Sequence, residues 1–176
     1  MASPRPPADP RAIVRALEEA GVEYVVVGGW AAVTYGVDRA TFDLDVVVAG
    51  GDDNAAALAS ALRALEARRD LGAGLTEPLP LDDPSALLAV PLRTVTAEGA
   101  LDVLPSVPGI GSFAALRADA RRASFGDGTS FVIASKQSLE AIKEAVVEQA
   151  DPARGERDRE DLAQLRAQPD PGLPPA

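Results

Sequence analysis

The chain has 176 residues, 47% of them apolar, with 17 basic against 27 acidic groups for a net charge of −10. It is too apolar for a disordered polar chain, and no run approaches the ~20 apolar residues a membrane-spanning helix needs. With neither Cys nor His, the common zinc sites and every His- or Cys-centred catalytic arrangement are excluded, so any metal must be a hard, oxygen-liganded ion.

Residues 1–9 hold most of a proline cluster and read as a flexible arm. Met1 to Pro7 has no apolar core to act as a secretion signal, so a cytoplasmic protein is expected. Asp9 and Pro10 suit the cap and first turn of a helix running to about Ala20, its apolar positions Ile13, Val14 and Leu17 at helical spacing and Gly21 as its stop. Val22 to Val27 is β-branched and aromatic and reads as a strand ended by Gly28-Gly29, with a short helix over Trp30 to Tyr35. A second strand is expected over Asp43 to Ala49, and a long Ala/Leu helix over Asp53 to Arg69 with Asp53 as its cap. Residues 70–84 read as a loop, Leu87 to Val95 and Ala100 to Leu104 as strands joined around Glu98-Gly99, and Pro105 to Gly111 as a loop. A short helix over Phe113 to Ala118 follows. Arg121 to Phe125 and Thr129 to Ala134 flank Asp127-Gly128, a hairpin signal. Helices over Gln137 to Gln149 and Glu156 to Ala167 close a domain of residues 10–167, and 168–176 read as a disordered Pro-rich tail. The alternation predicts a single α/β (α+β) domain, a mixed β-sheet flanked by helices.

Acidity is concentrated early: residues 1–112 carry 8 basic and 16 acidic groups, residues 113–167 carry 9 and 10. Bulk acidity argues against non-specific DNA binding, which depends on neutralising phosphates.

The chemistry concentrates in Val25-Val26-Val27-Gly28-Gly29-Trp30 and in Arg39-Ala40-Thr41-Phe42-Asp43-Leu44-Asp45. Aspartate is depleted in strands and costly to bury unpaired, yet two begin an apolar strand. Positions i and i+2 share a face, so Asp43 and Asp45 can present both carboxylates on one side, where a divalent cation would hold both ionised. Strand-end acids in water are the plainer alternative. A Gly-Gly turn leading into a helix lets backbone amides approach a phosphate, although neither the Walker nor the dinucleotide spacing is present.

This pattern resembles the DNA polymerase β nucleotidyltransferase superfamily, in particular its minimal AbiEii/MenT-like branch: a hydrophobic strand, Gly-Gly, a gap of 13 residues from Trp30 to Phe42, then Asp43-x-Asp45. The resemblance implies the nucleotidyltransferase fold and a third carboxylate on a neighbouring strand, for which Asp102 in Leu101-Asp102-Val103-Leu104 is the candidate. It also implies a lysine-bearing helix and an acid-bearing helix, matched by Ser135 to Lys143 and by Arg157 to Leu162. On that basis Asp43, Asp45 and Asp102 hold Mg2+ (or Mn2+), with Asp102 also the general base. Gly28, Gly29, Arg39, Thr41 and Lys136 bind the nucleotide, and Lys143 neutralises phosphate charge.

The activity implied is transfer of an NMP from an NTP, such as ATP, to an acceptor hydroxyl. The acceptor is either a tRNA 3′ end, as in toxin relatives paired with an antitoxin protein, or a small molecule such as an aminoglycoside. A catalytically inactive module that keeps the fold is the alternative. Lys143 beside Glu140 and Glu144 also fits a surface ion pair, and Asp158 and Asp161, three apart on one helical face, fit a solvated salt-bridge face as well as a site. Trp30 and Tyr35 read as core or pocket wall.

Overall fold

The computed structural model describes residues 9–149 and 152–176, so the expected arm at 1–9, apart from Asp9, lies outside the described residues. The chain is of the mixed α/β class, its strands joined in both parallel and antiparallel pairs and interspersed with helices. It divides into two compact units, residues 1–24 with 41–105 and residues 25–40 with 106–176.

The first unit opens with α1 (Pro10–Glu19), capped by the Asp9 carboxylate accepting from the Arg11 and Ala12 amides. Its end follows from Gly21, whose left-handed backbone (φ 73°) lets the Gly21 and Val22 amides donate back to Glu18 and Leu17. Strand β1 (Tyr24–Val27) begins in this unit and is buried along its length. The other strands are β2 (Asp43–Val48), β3 (Arg68–Gly72), β4 (Leu75–Pro78), β5 (Leu92–Thr96) and β6 (Gly99–Leu104), in the order β4-β3-β5-β6-β2. The β2–β6 pair is parallel, and the β5–β6, β3–β5 and β3–β4 pairs are antiparallel. Leu44, Val46, Leu101 and Val103 lie on one face and are buried, as are Ile13, Val14 and Leu17 of α1 and Leu58 and Leu62 of α3 (Asp52–Ala64).

Four expectations fail here for identifiable reasons. Helix α3 is capped by Gly51 (φ 101°), not by Asp53, which instead sits in the first turn, where its charge meets the positive end of the helix. The same helix stops at Ala64 because Glu66 adopts a left-handed backbone (φ 51°) and the Ala67 amide closes back on Leu62, so Arg68 starts a strand instead of ending a helix. No glycine marks that stop. The expected loop at 70–84 is largely the β3–β4 hairpin, whose exposed side chains lack the apolar alternation that signals a strand. Leu87 belongs to a short 3-10 turn over residues 84–88, and β5 starts only at Leu92.

In the second unit β1 pairs in parallel with β8 (Ser130–Ile133), and β8 pairs antiparallel with β7 (Arg121–Ser124) across the expected Asp127-Gly128 turn. The helices are α2 (Gly28–Thr34), α4 (Phe113–Ala118), α5 (Lys136–Gln149) and α6 (Pro152–Ala167). Ser135 caps α5 by accepting the Ser138 amide, and its hydroxyl donates to Asp119. The tail is not the disordered segment expected from its prolines. The Arg122 amide donates to Pro174 O at 2.8 Å and the Ala176 amide to Ala120 O at 3.2 Å, so the tail pairs along β7. Proline is tolerated there because an outer strand needs only some of its amides.

Two buried polar groups hold these units internally. Within the first, the Asn54 amide side chain accepts the Glu23 N–H at 2.7 Å and donates to Ala49 O and Glu23 O at 2.8 and 3.2 Å. Within the second, Tyr35, 3% exposed, donates its hydroxyl to Ala134 O at 2.8 Å. Burial, reinforced by the Asp170 carboxylate and partly offset by Arg121, pushes that hydroxyl up to about 12 from 10.0.

Asn54→Ala strands the Glu23 N–H and the Ala49 carbonyl, while Glu23 O keeps the Ala49 amide at 3.0 Å, and is expected to cost about 2–3 kcal/mol in urea denaturation. For Tyr35 the unfolded chain releases its proton near pH 10 and the folded chain near pH 12, so the folded state holds the extra proton in between. Stability present below pH 10 is therefore lost as the pH rises through about 12. Denaturation at stepped pH should show the wild type losing up to about 2–3 kcal/mol more than Tyr35→Phe over that window.

Candidate active site

In the first unit the parallel register of β2 and β6 sets Asp45 directly beside Asp102 and Asp43 beside Ala100. Register partners leave a sheet on the same side and alternate residues share a face, so Asp43, Asp45 and Asp102 stand on one face, opposite the buried Leu44, Val46, Leu101 and Val103. All three are intermediate in exposure. The Thr41 hydroxyl lies 3.4 Å from both the Asp43 carboxylate and its carbonyl, a local bond within the turn entering β2.

The donor set fits a hard cation in kind: three carboxylates, no nitrogen or sulfur, on one partly open face. Among the described residues, however, no three acidic groups are gathered closely enough to form a ready cage. Closing them on one ion takes side-chain rotation.

One partner of this face is absent from the sequence reading. Arg93 on β5 is in register with Asp102, and its Nε lies 3.6 Å from Asp102 Oδ2. The signal was available, because counting back from a hairpin at Thr96 and Gly99 pairs Arg93 with Asp102.

In the second unit Gly28, with φ 66°, turns the chain from β1 straight into α2, so both Gly28 and Gly29 belong to the first turn, two residues ahead of the expected start at Trp30. A side chain rarely adopts that backbone, which accounts for glycine at position 28. Trp30 packs its ring edge-on against Phe125, with centroids 6.5 Å apart, and Phe125 stacks on Phe131 at 4.6 Å. Trp30 thus lies in an aromatic cluster, its Nε1 buried without a hydrogen-bond partner.

Lys143 is placed differently from a surface pair. Lys143 is 5% exposed and its Nζ lies 2.9 Å from Asp158 and 2.7 Å from Asp161, not on Glu140 or Glu144. Glu140 instead takes Lys136 at 2.8 Å, and Glu144 takes Arg166 at 2.9 Å. Asp161, 3% exposed, also accepts from Arg39 Nη1 at 2.8 Å, while Arg39 Nε donates to Ala40 O. A solvated acid face on α6 is therefore not what forms. Asp161 is a buried carboxylate shared by two cations, joining the segment after α2 to α5 and α6.

No known family's sequence profile matches the chain, and no curated protein matches it by sequence. Solved structures do resemble it, and they define the class of fold: that of nucleotidyltransferases. The lincosamide antibiotic adenylyltransferase LnuA, bound to lincomycin, is similar with a TM-score of 0.55 at 15% identity, over 92% of this chain and 98% of that one. The antibiotic-resistance factor ANT(2'')-Ia is similar with a TM-score of 0.53 at 16% identity, over 89% and 86% of the two chains. Its complex with adenylyl-2''-tobramycin gives 0.52 at 17% identity, over 89% and 87%. At such identities the shared property is the fold.

Breaking a buried ion pair by removing one partner leaves the other charge uncompensated. Asp161→Ala removes the carboxylate shared by Arg39 and Lys143, leaving Lys143 with Asp158 alone, and is expected to cost about 3 kcal/mol in urea denaturation. Asp158→Ala should cost distinctly less, because Asp158 is 28% exposed and Lys143 keeps Asp161.

Proposed function

We propose that the chain is a metal-dependent nucleotidyltransferase that moves an NMP from an NTP to an acceptor hydroxyl and releases pyrophosphate. The observation that carries this reading is the β2–β6 register, which aligns Asp45 with Asp102 on the face that also bears Asp43. Three carboxylates so placed would hold Mg2+ or Mn2+, which when bound supplies charge neutralisation for the triphosphate and acidifies the acceptor hydroxyl. Asp102 takes the acceptor proton as general base. The Gly28 and Gly29 amides donate to phosphate oxygens, and Arg39, Thr41 and Lys136 contribute to nucleotide binding. Lys143, held by two carboxylates, acts on phosphate charge directly only if one of them releases it; otherwise it keeps α5 and α6 in place.

Similarity of fold to LnuA and ANT(2'')-Ia supports a small-molecule acceptor of the antibiotic kind. The Arg39-x-Thr41-x-Asp43-x-Asp45 form supports the toxin-like branch, a tRNA 3′ end as acceptor and an antitoxin as partner. Among the described residues no helix is long and apolar enough to cross a membrane. Two observations favour the non-catalytic module: among the described residues the three acids are not gathered, and Asp102 is engaged by Arg93.

The test is incubation with each α-32P-labelled NTP, Mg2+, total tRNA and a panel of aminoglycosides and lincosamides. Label should reach one acceptor class, and Asp45→Ala should reduce transfer by about a hundredfold or more. NTP binding without transfer to any acceptor would replace the enzyme with the module.

A further inference from the structure

The acidic face continues as a row across three strands. Asp45 on β2 is in register with Asp102 on β6, and Asp102 is in register with Arg93 on β5. Two like charges directly opposite each other destabilise a sheet, whereas an opposite charge in the next register position relieves them. The two members of the ion pair are unequal: Asp102 is 17% exposed and fixed in a central strand, while Arg93 is 71% exposed on a long, flexible side chain. An exposed pair of this kind is weak and screened by salt, so a stronger cation can displace it. Arg68 supplies an internal comparison. Its register partner Val95 lies two residues from Arg93 on β5, so Arg68 shares the same face one strand further out, yet its Nε donates to the Thr76 hydroxyl at 2.9 Å.

We infer that Arg93 is a positioning residue for Asp102: without a divalent cation its guanidinium serves as counter-charge to the third carboxylate, and cation binding displaces it. This rests on the reading of Asp43, Asp45 and Asp102 as cation donors. It accounts for two observations together, the tolerance of an Asp45–Asp102 register pair and the absence of a gathered acidic cluster among the described residues. Arg93 thereby sets how tightly the face takes a divalent ion and makes that affinity depend on salt.

The experiment measures Mn2+ binding to the full chain, without nucleotide, from the electron paramagnetic resonance signal of free Mn2+ at low salt. The variants are Arg93→Gln, Arg93→Lys, Arg68→Gln, Asp102→Asn, Asp45→Asn and the double variant Arg93→Gln/Asp102→Asn, each checked for native circular dichroism. Arg93→Gln should bind Mn2+ about threefold to tenfold more tightly, whereas Arg68→Gln, being further away, should stay within about twofold of wild type. Arg93→Lys, which keeps the charge, should stay near wild type. In the Asp102→Asn background the gain from Arg93→Gln should fall below about twofold, as a double-mutant cycle requires of directly coupled partners. An unchanged or weaker affinity in Arg93→Gln overturns the inference, as does a gain that persists in the Asp102→Asn background or is matched by Arg68→Gln. A wild type that binds no Mn2+, or whose binding survives Asp45→Asn, overturns the cation reading itself and Arg93's role with it.

Discussion

The parallel pairing of β2 with β6 is the constraint on which the placement of the first unit's acids depends. A strand's side chains alternate, so one residue of slippage would turn Asp102 into the core and bring Leu101 or Val103 out beside Asp45. The apolar side of the same two strands enforces the register: Leu44, Val46, Leu101 and Val103 all bury their side chains together. Burial on one face therefore determines acid placement on the other. The acidic face needs no interactions of its own to be assembled, and it can carry like charges that oppose folding locally.

That separation explains how Arg93 enters. A carboxylate pair held in place by the packing beneath it must find its counter-charge among neighbours, water or a bound ion. Arg93 sits in the adjacent register position and reaches Asp102 at 3.6 Å. The arrangement reflects strand geometry more than strong attraction, which suits a contact that has to yield to a stronger cation.

The second unit solves its charge problem in the opposite way. Lys143 and Asp161 are taken out of water almost completely, and such burial is tolerable only because the charges are matched: Asp158 and Asp161 against Lys143, and Asp161 again against Arg39. The sequence shows this network as an ordinary run of helical charges. Buried, it joins α5, α6 and the segment after α2. One unit therefore keeps its charges on an open face, and the other uses them internally.

Local chemistry determined much of what was legible in the sequence. Asp9 capping α1, the Gly21 stop, the Asp127-Gly128 hairpin and α4 at Phe113–Ala118 follow from short-range bonding that tertiary packing did not override. The shared face of Asp43 and Asp45 follows from the two-residue period of a strand. The end of α3 was not legible, because Glu66 takes a left-handed backbone that glycine normally signals, and the pairing of the Pro-rich tail with β7 was not, because it is a long-range contact. Tertiary structure alone decided that Asp102 stands beside Asp45, that Arg93 answers it, and that Lys143 turns from Glu140 and Glu144 to α6. Periodicity says which side of its own element a residue occupies. Which element lies next to it is decided by the burial of apolar surface over the whole unit.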